Sequence, residues 1–332
     1  MERILVTGAS GFIGSFIVEE ALRRGMDVWA AVRKTSSRRY LGDPRIHFIE
    51  LDFSSVEMMV WQLRGKTFDY IVHAAGVTKC TDSLDFFRVN TCGTANLVAV
   101  VKACKMRIRL MVFMSSLSVF GPAREQRPYT EISLDDEPRP NTAYGRSKLD
   151  AEKIVSGSGL PFVILRPTGV YGPRERDYYI MVRSISKHLD FAVGFTPQDL
   201  TFVYVDDVVQ AVFLAIEKSA AVEGRAYFIT DGEVYSSRTF SDLIYQELGR
   251  PWRLRLRAPL WLLRAVTSVC GAVSRLTGRS TALNNDKYNI LAQRNWRCDI
   301  GPATDELGYR PTCMLAAGVR RTIQWYKDND WL

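Results

Sequence analysis

Short apolar runs closed by small or polar residues alternate, over the first two-thirds of the chain, with stretches whose apolar positions recur every three to four residues. The runs read as buried parallel strands: Ile4–Val6, Val28–Val32, Ile46–Leu51, Tyr70–Val72 and Leu110–Met114. Between them, Phe12, Phe16, Ile17, Ala21 and Leu22 repeat at helical spacing up to Arg24. Leu84 to Lys105 has the same pattern and carries Asn90, Gly93 and Asn96 on its packing face. Later, Val208 to Glu217 reads as an amphipathic helix and Ala226 to Thr230 as a strand. Strands alternating with helices in this way specify an α/β fold around a doubly wound parallel sheet, with ligands at the carboxyl ends of the strands. After Gly172 the pattern becomes irregular.

The first strand runs into Gly8-Ala9-Ser10-Gly11-Phe12-Ile13-Gly14 and then directly into a helix. Glycines at such a junction turn the chain, let backbone N–H groups approach a pyrophosphate, and pack helix against strand. The helix start adds unpaired N–H groups and the positive end of its dipole. The spacing is Gly-x-x-Gly-x-x-Gly, not the more familiar Gly-x-Gly-x-x-Gly. This loop is expected to bind a dinucleotide. The second strand ends in Arg33-Lys34, where an acid would hold the ribose 2′-OH of NAD and an arginine accommodates the 2′-phosphate of NADP. NADP(H) is therefore the expected cofactor, with NAD(H) the alternative. After the fourth strand, the small residues Ala74, Ala75 and Gly76 let a flat cofactor lie against the backbone. His73, one of three histidines, has no partner at metal-ligand spacing and reads as a strand-end residue.

Composition narrows the class. The 332 residues, 47% hydrophobic and 24% charged, are those of an ordinary globular protein. A first strand starting at Arg3 leaves no room for a cleaved leader. No apolar run approaches the ~20 residues of a membrane-spanning helix. The six cysteines are scattered without a Cys-x-x-Cys pair, which argues against a metal site and a disulfide framework and for a reducing cytoplasm.

Beyond the fifth strand, which delivers Ser115-Ser116, a helix beginning near Ala143 carries Tyr144 and Lys148 one turn apart. An ammonium near a phenol favours the phenolate, so Lys148 is expected to lower the pKa of Tyr144. Tyr144 then exchanges a proton with a substrate oxygen that Ser116 holds, while hydride moves to or from nicotinamide.

Taken in order, Thr7 to Gly14, Asp52-Phe53, His73 to Gly76, Met114 to Gly121, Tyr144 to Lys148, Leu165 to Pro173 and Phe202 to Val208 resemble an extended short-chain dehydrogenase/reductase of the NAD-dependent epimerase/dehydratase superfamily. The resemblance covers most of residues 1–215. It implies a Rossmann-type domain at 1–172, rejoined by 200–230, and a smaller, mostly helical substrate lobe at 173–199 and 231–332. It makes Tyr144 the acid/base, has Lys148 also bind the nicotinamide ribose, and makes Ser116 the ligand of the substrate oxygen. It puts Asp52 and Phe53 near adenine, and Pro167 and Thr168 near nicotinamide. It also implies a homodimer paired through the helices at Asn90–Lys105 and Tyr144–Val155.

Departures from the family pattern shape the substrate expectation. Leu117-Ser118 replaces the acidic pair that dehydratases carry after the catalytic hydroxyl, which removes the base for dehydration. Thr201 stands where many nucleotide-sugar epimerases show Arg-Asp. The Arg33-Lys34 strand end is similar to the 3β-hydroxysteroid dehydrogenase and dihydroflavonol reductase branches. The expectation is an oxidoreductase for a bulky apolar secondary alcohol or ketone. A nucleotide-sugar epimerase with tightly held NAD and a non-catalytic cofactor-binding protein are the alternatives. Arg174 stands open as an anion ligand or a surface residue. Much of the net +8 sits in 250–279, where seven arginines and no acid are interleaved with Trp252, Trp261 and large aliphatics. Nucleic acid fits poorly there. Peripheral membrane contact, a lid over an apolar substrate, and an ordinary hairpin with a solvated basic face remain.

Overall fold

The computed structural model describes residues 1–250, 252–277 and 285–332. Its first half runs β1 (Arg3–Thr7), α1 (Phe12–Arg23), β2 (Asp27–Val32), β3 (His47–Glu50), α2 (Val56–Leu63) and β4 (Tyr70–His73). Then come α3 (Ser83–Phe86), a π-helical turn (Phe87–Cys92), α4 (Gly93–Ala103), β5 (Leu110–Met114), α5 (Ala143–Ser156), β6 (Phe162–Pro167) and β7 (Gly169–Tyr171). One difference from the sequence pattern matters: the apolar repeat from Leu84 to Lys105 is not one regular helix, because the wider turn at Phe87–Cys92 interrupts it.

The second half carries α6 (Asp177–Ser186), β8 (Leu189–Val193), β9 (Asp199–Leu200), β10 (Phe202–Tyr204), α7 (Val205–Glu217), α8 (Ser219–Val222), β11 (Arg225–Ile229) and β12 (Tyr235–Ser236). It closes with α9 (Thr239–Glu247), β13 (Leu254–Ala258), α10 (Leu260–Thr277), α11 (Asn285–Ala292) and α12 (Leu315–Asp328). Arg279 lies outside the described residues.

Seven parallel strands form the central sheet in the order β11-β6-β5-β4-β1-β2-β3. Strand alternation divides the core between its faces. Ile4 and Val6 of β1 join Val112, Ile17 and Val212 on one side, under α1 and α7. Leu5 joins Ile71, Phe113, Leu97 and Val155 on the other, under α2, α4 and α5. Strand order reverses between β1 and β4, the point at whose carboxyl ends open α/β sheets take their ligands.

A third core is aromatic. Tyr171 packs edge to face on both Phe202 and Phe240, and Tyr178 stacks on Phe240 at 4.8 Å. Helix α12 closes on it through Leu315, Val319 and Ile323, at a distance only Gly318 permits: a Cβ there would lie 2.1 Å from the Tyr171 hydroxyl. Beyond Gly172, α6, α9, α10, α11 and α12 predominate, with two short pairs, β8 with β13 and β9 with β12, among them.

Candidate active site

The loop between β1 and α1 is shaped by two close approaches. Gly8 has φ +69°, and a Cβ on it would lie 2.6 Å from the Ala74 carbonyl. A Cβ on Gly14 would meet the Gly8 carbonyl at 2.1 Å, so the first turn of α1 can rest on the loop only without a side chain. Gly11 opens the helix with no side-chain cap, and no acid lies in the first turn, which leaves its amides beside Phe12 and Ile13 free to meet an anion. The facing strand end is held in register by His73. Its Nδ1 lies 2.7 Å from Thr7 Oγ1 and its Nε2 lies 2.9 Å from Thr94 Oγ1. Thr94 donates to the Asn90 carbonyl, so its oxygen is left to accept from Nε2–H while Thr7 donates to Nδ1. Burial, with the Lys148 ammonium nearby, pushes the His73 pKa down to about 3, and the ring stays neutral. This is the structural role its sequence context predicts.

Ser116 and Tyr144 are brought together by packing. The backbone turns after β5 into a single 3-10 turn, Leu117–Val119, capped by the Ser116 hydroxyl, which accepts from Ser118 N–H at 3.1 Å. Helix α5 lies directly on that turn because residue 145 is glycine: a Cβ there would stand 2.4 Å from the Ser118 carbonyl. The Thr142 hydroxyl caps the helix by accepting from Gly145 N–H at 2.9 Å. Two further amides of that turn, of Ala143 and Tyr144, donate to the Asp286 carboxylate at 3.1 and 3.2 Å. Asp286 comes from α11, far along the chain, and Asn289 of the same helix donates to the Asn141 carbonyl. No local motif marks Asp286, and the sequence analysis missed it.

Lys148 is buried one turn on, its ammonium 4.4 Å above the ring of Phe113. The ammonium also lies 3.9 Å from where a Cβ on Gly76 would stand, and Asn90 Oδ1 lies 3.1 Å from the same point. Asn90, displaced by the π-helical turn, accepts from Val77 N–H and donates to Ser147 Oγ, tying the loop after β4 to α5. Behind Lys148, Glu152 forms a two-point ion pair with Arg166 at 3.0 and 2.7 Å.

The expected lowering of the Tyr144 pKa is not what the structure has. Burial pushes the phenol up, and the Ser116 hydroxyl, not Lys148, opposes the shift. The Lys148 ammonium lies against Phe113 and Gly76, and burial pushes its own pKa down to about 8 against the pull of the Glu152 carboxylate. The phenol therefore holds its proton at neutral pH.

The remaining predicted residues sit around the same strand ends. Arg33 and Lys34 are exposed just past β2, without an ion pair among the described residues. Asp52 follows β3 and accepts from Ser54 N–H and Oγ, which holds its carboxyl below the usual range. The ring of Phe53 lies nearly parallel to that of His73, 6.0 Å away. Pro167 ends β6, and the buried Thr168 hydroxyl beside it has no hydrogen-bond partner. The carboxyl ends of β1, β2 and β6 thus carry a glycine loop without side chains at a helix start, two cations free of ion pairs among the described residues, and a buried hydroxyl without a partner; the glycine loop is of the kind that fits a pyrophosphate. Arg174 is not open to an anionic ligand. It donates to Ser15 Oγ and Glu19 and is sandwiched between the rings of Phe16 and Tyr40, 4.3 and 4.4 Å from their centres. Among the described residues no group of His, Cys, Asp and Glu forms a metal site, and no helix is long and apolar enough to cross a membrane.

Known proteins share this architecture. The chain is 23% identical to a sterol-4-alpha-carboxylate 3-dehydrogenase, decarboxylating, of Candida albicans, over 99% of each chain. It is 26% identical to a UDP-glucose 4-epimerase of Vibrio cholerae, over 97% of this chain and 94% of that one. The solved structure of DesIV, a dTDP-glucose 4,6-dehydratase from Streptomyces venezuelae with NAD and TYD bound, superposes with a TM-score of 0.80 at 22% identity, covering 99% and 98% of the two chains. The model of the NAD dependent epimerase/dehydratase family matches residues 4–230. The chain thus belongs to the NAD-dependent epimerase/dehydratase family and is an NAD(P)-dependent enzyme of the extended short-chain dehydrogenase/reductase type.

Proposed function

We propose that this enzyme is an NADP(H)-preferring oxidoreductase of the cytoplasm that interconverts a secondary alcohol and a ketone on a bulky apolar, steroid- or isoprenoid-like substrate. The observation that carries the reading is the meeting of Ser116, Tyr144 and Lys148 beside the end of β5. The relatives named as sterol 3-dehydrogenases support the substrate class. The exposed Arg33-Lys34 pair supports NADP(H), since a guanidinium meets a dianionic phosphate through two donors.

Nicotinamide, when bound, would supply the hydride chemistry at the carbinol carbon. Ser116 holds the substrate oxygen, and Tyr144, protonated at neutral pH, gives that oxygen a proton in reduction; the phenolate left behind is the base that takes the proton back in oxidation. Lys148, charged below about pH 8, lies along the same face of α5 and holds the ribose. Residues 173–199 and 231–332 cover the substrate, and α4 and α5 pair two copies.

A second reading, a nucleotide-sugar epimerase that retains NAD, is favoured by the relative named UDP-glucose 4-epimerase. Titration with NADPH and NADH, followed by fluorescence, separates the two. Preference for NADPH that disappears in Arg33→Ala supports the reductase, whereas NAD that co-purifies and does not exchange supports the epimerase. Tyr144→Phe tests the chemistry in either case: turnover falls about 10²–10⁴-fold with cofactor binding intact. Full activity in that variant overturns the assignment.

A further inference from the structure

Most of the large apolar side chains left exposed in the described residues gather in one part of the second lobe, between Ile180 and Val269. Two features show that they are not an ordinary scatter of surface hydrophobics.

The first is strand pair β8/β13. In its parallel register Leu189 faces Leu254, Phe191 faces Leu256, and the residue between, Asp190, faces Arg255. On β8 the charged residue is the buried one. Asp190 is 3% exposed and bound by Arg253 at 3.4 Å and Arg255 at 3.1 Å, and both arginines also reach Asp242. The apolar side faces outward, with Phe191 62% exposed. A half-buried strand pair normally shows the opposite arrangement.

The second is α10, which follows β13 after Pro259 alone. It turns Leu263 and the polar Thr267 inward, both buried, and presents Leu262, Val266 and Val269 to water at helical spacing. Trp261, beside that stripe, is 72% exposed. Trp252, just ahead of β13, is also exposed and stacks its ring on His188 at 4.1 Å.

Charge decides what covers this surface. Arg250, Arg257 and Arg264 carry no ion pair among the described residues, and the guanidinium of Arg257 lies over the exposed Phe195 ring. From 250 to 279 the chain contains no acid to offset them. A second copy docked face to face would bring these cations against their own equivalents. Outward aliphatics, two tryptophans and unpaired arginines suit instead the boundary between headgroups and acyl chains of an anionic bilayer, where indoles sit at the interface and each arginine gains from the surface potential.

We propose that the outward faces of β8/β13 and α10 dock this protein peripherally onto anionic lipid bilayers, with α10 lying in the plane of the interface rather than across it. The proposal does not depend on which substrate or nucleotide the active site takes. The test is co-sedimentation of the full-length protein with vesicles of phosphatidylcholine, alone or mixed with phosphatidylglycerol. The protein is expected to sediment with the mixed vesicles and to be released by raised salt. Phe191→Ser/Trp261→Ser is expected to weaken that partition roughly tenfold. Arg257→Gln/Arg264→Gln, which leaves the apolar surface intact, is also expected to weaken it roughly tenfold. Both variants should melt and bind dinucleotide as the parent does. Parent protein that stays in the supernatant with mixed vesicles overturns the proposal. So do both variants sedimenting like the parent, or a lipid-free parent dimer that Phe191→Ser/Trp261→Ser dissociates.

Discussion

The carboxyl ends of β1, β4 and β5 and the outer side of the β8/β13 pair are built from similar residue types arranged in opposite senses. At the strand ends, polar groups are buried and matched. His73 serves two threonines, Asn90 serves Val77 and Ser147, Glu152 serves Arg166, and glycines bring the backbones into contact. On the β8/β13 pair Asp190 is buried under Arg253 and Arg255, and Phe191, Leu254 and Leu256 are left in water. The first arrangement makes a rigid site whose parts depend on one another. The second leaves a surface with little role in holding the fold, and it is explained only by something outside the chain.

The largest test of this contrast is acid. The unfolded chain protonates His73 near pH 6.5, while the folded protein resists until about pH 3. Stability from this group is therefore complete above 6.5 and is lost as pH falls through that window. The whole span corresponds to on the order of 4–5 kcal/mol. Urea unfolding at stepped pH should show the slope, and His73→Gln should flatten it; an unchanged slope would mean that the ring is not the strand-end clamp described here.

Next in size is Gly14→Ala. Its methyl would have to displace the Gly8 backbone, so a loss of about 2–3 kcal/mol and of dinucleotide binding is expected, measured by denaturation and fluorescence titration. A smaller effect should follow Asp286→Ala, about 1 kcal/mol, the usual cost of removing a side chain that caps helix amides. The smallest belongs to the outer face. Val269→Ser, at an exposed position, should change stability by no more than about 0.5 kcal/mol. A large loss there would mean that α10 is packed against the protein more tightly than its exposure shows.

Some of this organisation was legible in the chain alone, and the boundary has a physical reason. The order of strands and helices, the glycine junction, the Ser116 strand end, the one-turn spacing of Tyr144 and Lys148, and the Arg33-Lys34 strand end are local patterns, repeated or punctuated within a dozen residues. Periodicity and backbone sterics determine them, so they can be read before any fold is known. What lay beyond reach depends on partners far along the chain. Asp286 meets Tyr144 across 142 residues, and Arg174 meets Glu19 across 155, which made a clamp on α1 of a residue that the sequence left open between anion ligand and surface arginine. The π-helical turn that aims Asn90, the burial that raises rather than lowers the Tyr144 pKa, and the outward turn of β8/β13 likewise follow from neighbours that no spacing encodes. Sequence by itself determined the elements and the chemistry they carry. Tertiary packing decided which charges meet, which polar groups lose their water, and which apolar face was left for a partner, because burial and pairing are properties of the assembled contacts and not of any one segment.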